Sequence, residues 1–381
     1  MMARLILVLL ASCASVASGQ PAEALRLPKY ESRYYVVYTD LPRDAAREAA
    51  LRMTRMAEEY QARTADFAGS IKGRMPFFLH ADRAGYLANG GEESTAGYFD
   101  GSKLVAFSAG GDEPDLRTWN TVQHEGFHQF AHKVMGQTMP SWIDEGLAEY
   151  FGEAIFTGDG YVSGVIPEWR AKRIRERLAS GSFAPTTELI RWDLREWNSR
   201  MNVANYDHAW SMVQFLAHAE GGRYRKAFAG YINEVAQGRP KDRAWATQFG
   251  PVEPFEQAWR KFWLDLPPGS TDRLYLRAWT EMLTSYLARA ASQKQAFGSF
   301  EAFLAAVENG EIKHHPDDWL PPTLAATAVE RVGAERARLG VRWSIGAGGK
   351  LPTIVCAFPD GTRLTGRFTL AGQRVGRVSV E

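Results

Sequence analysis

Apolar and polar positions alternate in short blocks near the start of the chain, a pattern that predicts strands around one helix. The segments 33–39 (RYYVVYT) and 75–80 (MPFFLH) have the aromatic and β-branched content of strands. Between them, apolar residues at helical spacing predict a helix over 44–67. Asp100-Gly101 separates apolar residues of the segment 97–108, and such a pair is a strong signal for a β-hairpin.

Helical spacing dominates the middle of the chain. It covers 116–135 and stops before Gly136, and a second helix is predicted to begin with Ser141 as its cap. From there the pattern stays mostly helical to about residue 266. The stretch 266–270 contains two Pro and one Gly, which predicts a linker.

The C-terminal part has a different pattern. A short helical region runs to about residue 339, and strand-like segments follow at 353–358, 363–370 and 375–380. We therefore predict an α+β fold with a small N-terminal mixed sheet, a mostly helical central region and a small C-terminal β meander. The predicted domains span 31–266 and 271–381.

Composition excludes several classes of protein. The 381 residues include 45 Lys plus Arg and 44 Asp plus Glu, a formal net charge of +1. A nucleic-acid partner is not expected, because such proteins usually carry a surplus of basic residues that neutralises phosphates. A hydrophobic content of 45% is typical of a globular chain, and two Cys cannot form a disulfide framework.

The first residues have the order of a secretory signal peptide. Arg4 precedes an apolar run over 5–11 and then small residues, so we predict a signal segment over 1–19. Two processing sites stay open: LASC, ending at Cys13, resembles a bacterial lipobox and would give a lipid anchor, whereas Ala17-Ser18-Gly19 would release a chain starting at Gln20. Either way we expect export across the cytoplasmic membrane, to the periplasm or as an outer-membrane lipoprotein if the source is bacterial. No later segment is apolar enough over about 20 residues to predict a transmembrane helix.

The segment HEGFH carries the clearest chemical signal. On a helix, His124 and His128 lie on nearly the same face, and two imidazoles there can converge on one ion at about 2.1 Å each. Glu125 lies about 100° round the helix, beside such an ion, in the position of a metallopeptidase general base. The alternative is a pair of surface histidines, but the apolar neighbours Val122 and Phe127 favour a buried helix.

A second acidic motif, WIDEGLAEY, follows at a suitable distance. Sixteen residues separate His128 from Glu145, which is enough for the first helix to end and a partner helix to begin. Glu145 could then complete a zinc site of two His and one Glu that leaves one position open. Glu149, one turn later, could accept the second ring N–H of a ligating histidine. The alternative is two solvated acids on a helix surface.

Together, HEGFH and WIDEGLAEYF resemble the gluzincin zinc metallopeptidases, and most closely the bacterial secreted group described as peptidase MA-like. The resemblance covers roughly residues 95–265. It implies His124, His128 and Glu145 as ligands of Zn²⁺, Glu125 as general base and Glu149 as an outer partner of a ligand. The chain lacks the G-x-M-E-N element of zinc aminopeptidases, so aminopeptidase activity is not expected. The metzincin pattern is absent too, because Val134 stands where that pattern needs a histidine.

Hydrolysis of an amide also needs a donor for the oxyanion that forms. By the resemblance, which extends over NYDHAW (205–210), we prefer Tyr206 for this role, with His208 as the second candidate. The residues Leu104, Val105, Ala106 and Phe107 are considered as an edge strand that binds an extended substrate by β-augmentation, although a plain hairpin arm is the favoured alternative. The basic run 170–177 predicts a solvated helix face.

The functional prediction is zinc-dependent hydrolysis of peptide bonds in a peptide or protein substrate. Two alternatives stay open. The chain could be a non-catalytic, zinc-stabilised binding protein that uses a surface rich in its 12 Trp. It could also apply the same chemistry to peptidoglycan stem peptides. Glu125 separates the first alternative from catalysis, because a binding protein needs no acid at that position.

Overall fold

Residues 27–136 and 138–381 are described by the structure, a computed structural model. The predicted signal segment over 1–19, with both of its processing sites, lies outside these residues. Among the described residues, no helix is both long and apolar enough to cross a membrane.

The described chain divides into two units. The first contains residues 27–154 and 166–269, and the second contains residues 155–165 and 270–381. The strands of the first unit are β1 (Lys29–Glu31), β2 (Tyr35–Thr39), β3 (Met75–His80), β4 (Gly97–Phe99) and β5 (Leu104–Phe107). Its helices are α1 (Arg43–Thr64), α2 (Arg83–Ala88), α3 (Leu116–Met135), α4 (Ser141–Gly152), α5 (Glu168–Ser180), α6 (Thr186–Leu189), α7 (Leu194–Ser199), α8 (Val203–His218), α9 (Arg225–Ala236), α10 (Lys241–Phe249) and α11 (Val252–Asp265).

The N-terminal sheet is mixed, as predicted. Its strand order is β1-β2-β3-β5-β4, with β3 parallel to β2 and β5, and antiparallel pairs at both ends. The expectation of an edge strand at Leu104–Phe107 is wrong, because β5 pairs with β3 on one side and β4 on the other. The Asp100-Gly101 hairpin signal in the sequence predicts that β5 pairs with β4. It carries no information about the parallel pairing of β5 with β3. The edge strands of this sheet are β1 and β4.

Helices α1 and α3 pack on this sheet around a common core. Val37 and Phe77 of the sheet lie against Met53 of α1 and Val122 of α3, all fully buried. Burying an apolar side chain of this size contributes about 1.5–3 kcal/mol. This core fixes α3 on the sheet and leaves its other face toward α4.

The ends of α3 and α4 are formed in different ways. The Asp115 carboxylate accepts the Thr118 N–H at 2.9 Å and caps α3, which ends at Gly136 with a φ of +68°. The predicted cap at Ser141 is wrong: α4 begins at Ser141, so Pro140 occupies the capping position and no side chain caps the helix. Proline suits that place because its fixed φ suits the approach to a helix.

The second unit is built around helix α12. Its elements are β6 (Ile155–Phe156), β7 (Tyr161–Val162), α12 (Asp272–Ser292), α13 (Phe300–Glu308), α14 (Pro322–Leu339), β8 (Arg342–Gly348), β9 (Leu351–Ala357), β10 (Arg363–Ala371) and β11 (Arg374–Val380). The last four strands form an antiparallel meander in the order β11-β10-β9-β8, packed on α12. The short hairpin β6-β7 is held to α12 by Arg289, whose guanidinium donates to Asp159 at 2.8 and 3.1 Å.

The predicted α+β class and the C-terminal meander are confirmed. The meander has one strand more than predicted, because no strand was predicted at the position of β8. This strand contains Gly346 and Gly348 and is followed by Gly349, and glycine is unfavourable in strands. Pairing along the whole of β9 forms the strand nevertheless.

Helix α4 packs closely against α8, and Gly146 makes this approach possible. A Cβ atom added at Gly146 would lie 2.7 Å from the Ala209 carbonyl oxygen and 2.7 Å from Val213 Cγ2. A backbone atom cannot move aside as a flexible side chain can. The close approach therefore requires glycine at this position of α4.

Replacing Gly146 with Ala should lower the free energy of unfolding by about 1–3 kcal/mol, the usual cost of overpacking a dense interior. Gly152→Ala on the same helix is the matched control, because its added Cβ would make only ordinary contacts of 3.4 and 3.8 Å. That control should be neutral or stabilising by up to about 1 kcal/mol, since alanine favours helix. Urea unfolding followed by circular dichroism measures both, and equal effects would refute the close-packing explanation.

Candidate metal centre

Three side chains from α3 and α4 bring their donor atoms together. His124 Nε2 lies 3.2 Å from His128 Nε2, and Glu145 Oε2 lies 3.5 Å from each of these nitrogens. Among the described residues, His124, His128 and Glu145 form a group of side chains whose ligand atoms all lie within 4.8 Å of one another, close enough to share one ion. All three side chains are largely shielded from solvent. The structure thus brings together the three residues predicted as ligands.

The other ring nitrogen of each histidine faces a carboxylate. His124 Nδ1 lies 3.2 Å from Glu149 Oε1, and His128 Nδ1 lies 3.1 Å from Asp144 Oδ2. A carboxylate at Nδ1 favours the tautomer that carries its hydrogen there. Both Nε2 atoms then present lone pairs to the common point. Glu149 occupies the outer position predicted for it.

This arrangement fits a tetrahedral cation. Ligand atoms about 2.1 Å from such an ion lie about 3.4 Å apart, close to the spacings of 3.2–3.5 Å found here. Glu145 Oε2 is buried, yet no described group donates a well-aligned hydrogen bond to it. When both histidines are neutral, three lone-pair atoms at this distance repel each other, and either a bound cation or protonation of the histidines relieves the repulsion. Two nitrogens and one carboxylate oxygen are a donor set that zinc prefers.

The surrounding charges favour a cation as well. Burial raises the pKa of Glu145, but the charge of His128 and the two imidazole contacts outweigh burial and hold this pKa at about 2. Burial lowers the pKa of His124, and the contacts with Glu145 and Glu149 overcome it and raise that pKa to about 9. The histidines are thus drawn toward their charged form by the acids around them. The acids around the centre thus favour positive charge there, either on the imidazoles or on a bound cation.

Glu125 lies beside the centre in a dry environment. It is 2% exposed, and burial raises the pKa of its carboxyl, partly offset by the charges of His124 and His128. The backbone of Phe99 on the edge strand β4 also hydrogen-bonds this carboxylate. A Cβ atom added at Gly97 of the same strand would lie 3.4 Å from Glu125 Cγ. The predicted base therefore lies between α3 and the β4 edge of the sheet.

Tyr206 reaches the same region from α8. Its ring centroid lies 6.4 Å from that of His124, and its hydroxyl donates to Met201 Sδ at 3.0 Å. Burial, together with the nearby charges of Glu145 and Glu149, raises the pKa of Tyr206, so the phenol keeps its proton. A thioether is a weak acceptor, and the hydroxyl could leave it for a stronger one.

His208 lies elsewhere. It is fully buried, its ring stacks on Trp259 and packs on Phe183 with centroids 4.7 Å away, and Nε2 lies 3.5 Å from Thr186 Oγ1. Residues two apart in sequence on an α-helix point about 200° apart around its axis. Because Tyr206 points toward the centre, His208 points away from it. His208 is a packing residue of the α8–α11 region, and the structure does not bring it to the cluster.

Sequence reasoning missed two neighbours of the centre. Asp144 precedes Glu145 and was not distinguished from an ordinary first-turn acid. Arg170 lies in the basic run expected to be a solvated face, but its side chain is only 3% exposed and it donates to Glu149 and Glu153. The sequence around Arg170, which follows Trp169, gave no sign that its side chain is buried. The acidic residues that contact it come from α4 and α8, so they are distant from it in sequence.

A pH dependence of stability follows from His208. Burial, with a smaller effect of the charge of Arg260, lowers its pKa to about 3, against about 6.5 in the unfolded chain. Between these values the unfolded chain binds a proton that the folded chain does not, so stability falls as the pH is lowered. His208→Phe should make this loss shallower by about 1.4 kcal/mol per pH unit between pH 6 and 4.

Urea unfolding at several pH values measures this slope. His314→Phe makes the same chemical change at an exposed position and should leave the slope unchanged. An unaltered slope in the His208 variant would mean that His208 takes up protons in the folded protein.

Comparison with known proteins gives one partial match. Residues 118–242, which begin in α3 and end in α10, match a family described as "Protein of unknown function (DUF1570)". No curated protein was found to match the chain. The matched region contains all three candidate ligands, Glu125 and Tyr206. Its description assigns no activity.

Proposed function

We propose that this protein is a zinc-dependent peptidase of gluzincin type. The observation that carries the proposal is the triangle of His124 Nε2, His128 Nε2 and Glu145 Oε2, with the buried carboxyl of Glu125 on the same helix. A structural metal site does not need a buried acid next to its ligands, whereas hydrolysis does. The resemblance of HEGFH and WIDEGLAEYF to gluzincins supports the same assignment.

His124, His128 and Glu145 would hold the ion. When bound, zinc would supply a Lewis acid that polarises a water molecule and the substrate carbonyl. Three protein ligands leave room for that chemistry, as in other catalytic zinc sites. Asp144 and Glu149 orient the two imidazoles through their Nδ1 atoms.

Glu125 would move the proton. Its carboxylate takes a proton from the attacking water and then gives it to the amine nitrogen of the leaving group. The raised pKa that burial produces suits this role, because a base must be strong enough to accept a proton and weak enough to release it. The neighbouring β4 keeps bulk water from this side of the carboxylate.

Substrate would bind along the edge strand β4. The Ala96 carbonyl accepts from Phe107, and the Asp100 N–H donates to Lys103. Because hydrogen-bonding direction alternates along a strand, the backbone groups of Gly97 point toward the free edge, while the Phe99 backbone hydrogen-bonds Glu125. An extended peptide can add to such an edge by main-chain hydrogen bonds. Tyr206, whose hydroxyl proton is retained, would donate to the developing oxyanion.

The alternative of a binding protein with a Trp-rich surface has weak support. Ten of the 12 Trp side chains are buried, Trp319 is half-buried, and Trp169 is exposed. The large aromatic content forms core rather than a continuous recognition surface. Peptidoglycan stem peptides stay open as a substrate, since their amide bonds would need the same residues.

Zinc binding and peptide cleavage should occur together. The purified chain without residues 1–19 should contain about one zinc per molecule by mass spectrometry of the metal. It should cleave members of a peptide library, lose cleavage on treatment with a chelator, and regain it when zinc is returned. A protein that neither holds zinc nor cleaves any library member would contradict the proposal.

Glu125→Gln should abolish cleavage and leave zinc bound. Loss of the proton acceptor should reduce kcat by about 10²–10⁴-fold, while the three ligand atoms are untouched. Glu176→Gln, an exposed acid on α5, is the control and should have wild-type activity. Normal turnover by the Glu125 variant would show that another group is the base.

A further inference from the structure

Arg170 forms the centre of a buried ionic cluster behind the candidate metal site. Its guanidinium donates to Glu149 Oε2 at 2.5 Å and to Glu153 Oε1 at 3.2 Å, and Nε lies 3.5 Å from Asp207 Oδ1. The face of the guanidinium lies 4.2 Å from the Trp210 ring centroid. Because the side chain is 3% exposed, these contacts are made away from bulk water.

We propose that Arg170 is a positioning residue of the metal centre, acting on the ligand His124 through Glu149. This inference rests on the proposed function, because it concerns how the same site holds its ion. Neither the sequence motif nor the family match assigns a role to this arginine.

The two oxygens of Glu149 connect the pair. Oε1 lies 3.2 Å from His124 Nδ1, and Oε2 accepts the hydrogen bond from Arg170. A carboxylate held at both oxygens cannot rotate about its last bond. Its Oε1 lone pair therefore stays directed at the imidazole, which fixes the ring plane and keeps the Nδ1 hydrogen in place.

Arg170 is itself held in one orientation. Asp207 is fully buried on α8 and also accepts hydrogen bonds from Arg173 at 2.5 Å and Arg177 at 2.9 Å. The planar guanidinium must satisfy acids from α4 and from α8 at once. A lysine keeps the charge but offers a single nitrogen, so it cannot reproduce this geometry.

The cluster could instead serve stability alone. A buried ion pair is weak support for a stabilising role, because the desolvation of its charges offsets their attraction. The two roles give different results for metal binding. If Arg170 is a positioning residue, its replacement changes the affinity of the folded protein for the ion. That change disappears once Glu149 has been replaced, because Arg170 then has no carboxylate through which to act.

The experiment measures the dissociation constants of Zn²⁺ and Co²⁺ by chelator competition, with the visible spectrum of the Co²⁺ form. Glu149→Gln should weaken binding by about 10–100-fold, as the loss of an outer-shell carboxylate usually does. Arg170→Lys should weaken it by roughly tenfold, at the low end of that range, and should change the Co²⁺ spectrum. Arg170→Met added to Glu149→Gln should weaken binding no further than Glu149→Gln alone.

Arg177→Gln is the matched control, since it removes another partner of Asp207 without touching Glu149. It should leave affinity and spectrum unchanged. Circular dichroism of the metal-free variants shows whether each is folded. The double variant removes one positive and one negative charge together, so it can be used even where Arg170→Met alone does not fold.

The outcomes separate the two proposals. A wild-type protein that binds neither ion would overturn the proposed function and this inference with it. A wild-type protein that binds zinc, with an Arg170→Lys variant of equal affinity and spectrum, would overturn this inference alone. A double variant that binds the ion more weakly than Glu149→Gln alone would also overturn it, since Arg170 would then act by a route other than Glu149.

Discussion

The first unit of this protein is organised around three lone-pair atoms that repel one another when both histidines are neutral. Two imidazole nitrogens and a carboxylate oxygen face one another at 3.2–3.5 Å in a buried region. The packing of α3 on the sheet and of α4 on α8 keeps the donor atoms together in spite of this cost. A cation bound between these atoms would remove this cost.

Two layers of charge surround the three donor atoms. The inner layer consists of Asp144 and Glu149, each facing the Nδ1 atom of one histidine. The outer layer consists of Arg170, which neutralises Glu149 and links it to the buried Asp207. Each of these acids lies next to a histidine or an arginine, so its charge has a partner that can be positive. Such pairing allows an acidic site to exist inside a packed protein.

Glu125 and Tyr206 differ from these groups in their surroundings. Burial raises the pKa of each, so each holds a proton more tightly than it would in water. One could accept and return a proton, and the other could only donate a hydrogen bond. The proposed division of work between base and oxyanion donor therefore follows from their chemistry and their places beside His124, Glu125 on α3 and Tyr206 on α8.

Local structure was largely determined by the sequence. The helix over 116–135 was predicted with the bounds that it has, and its spacing alone places His124 and His128 on one face with Glu125 beside them, because an α-helix has a fixed rotation per residue. Tertiary structure decided what that face meets. The packing of α4, α5 and α8 places Asp144, Arg170 and Asp207 around the centre. The local pattern of apolar and polar residues does not predict the angles between these helices. Pairing with β3 placed Leu104–Phe107 inside the sheet, and the rotation of α8 about its axis directed Tyr206 toward the centre and His208 away from it. Such choices depend on contacts between residues distant in sequence, and only the folded chain brings those residues together.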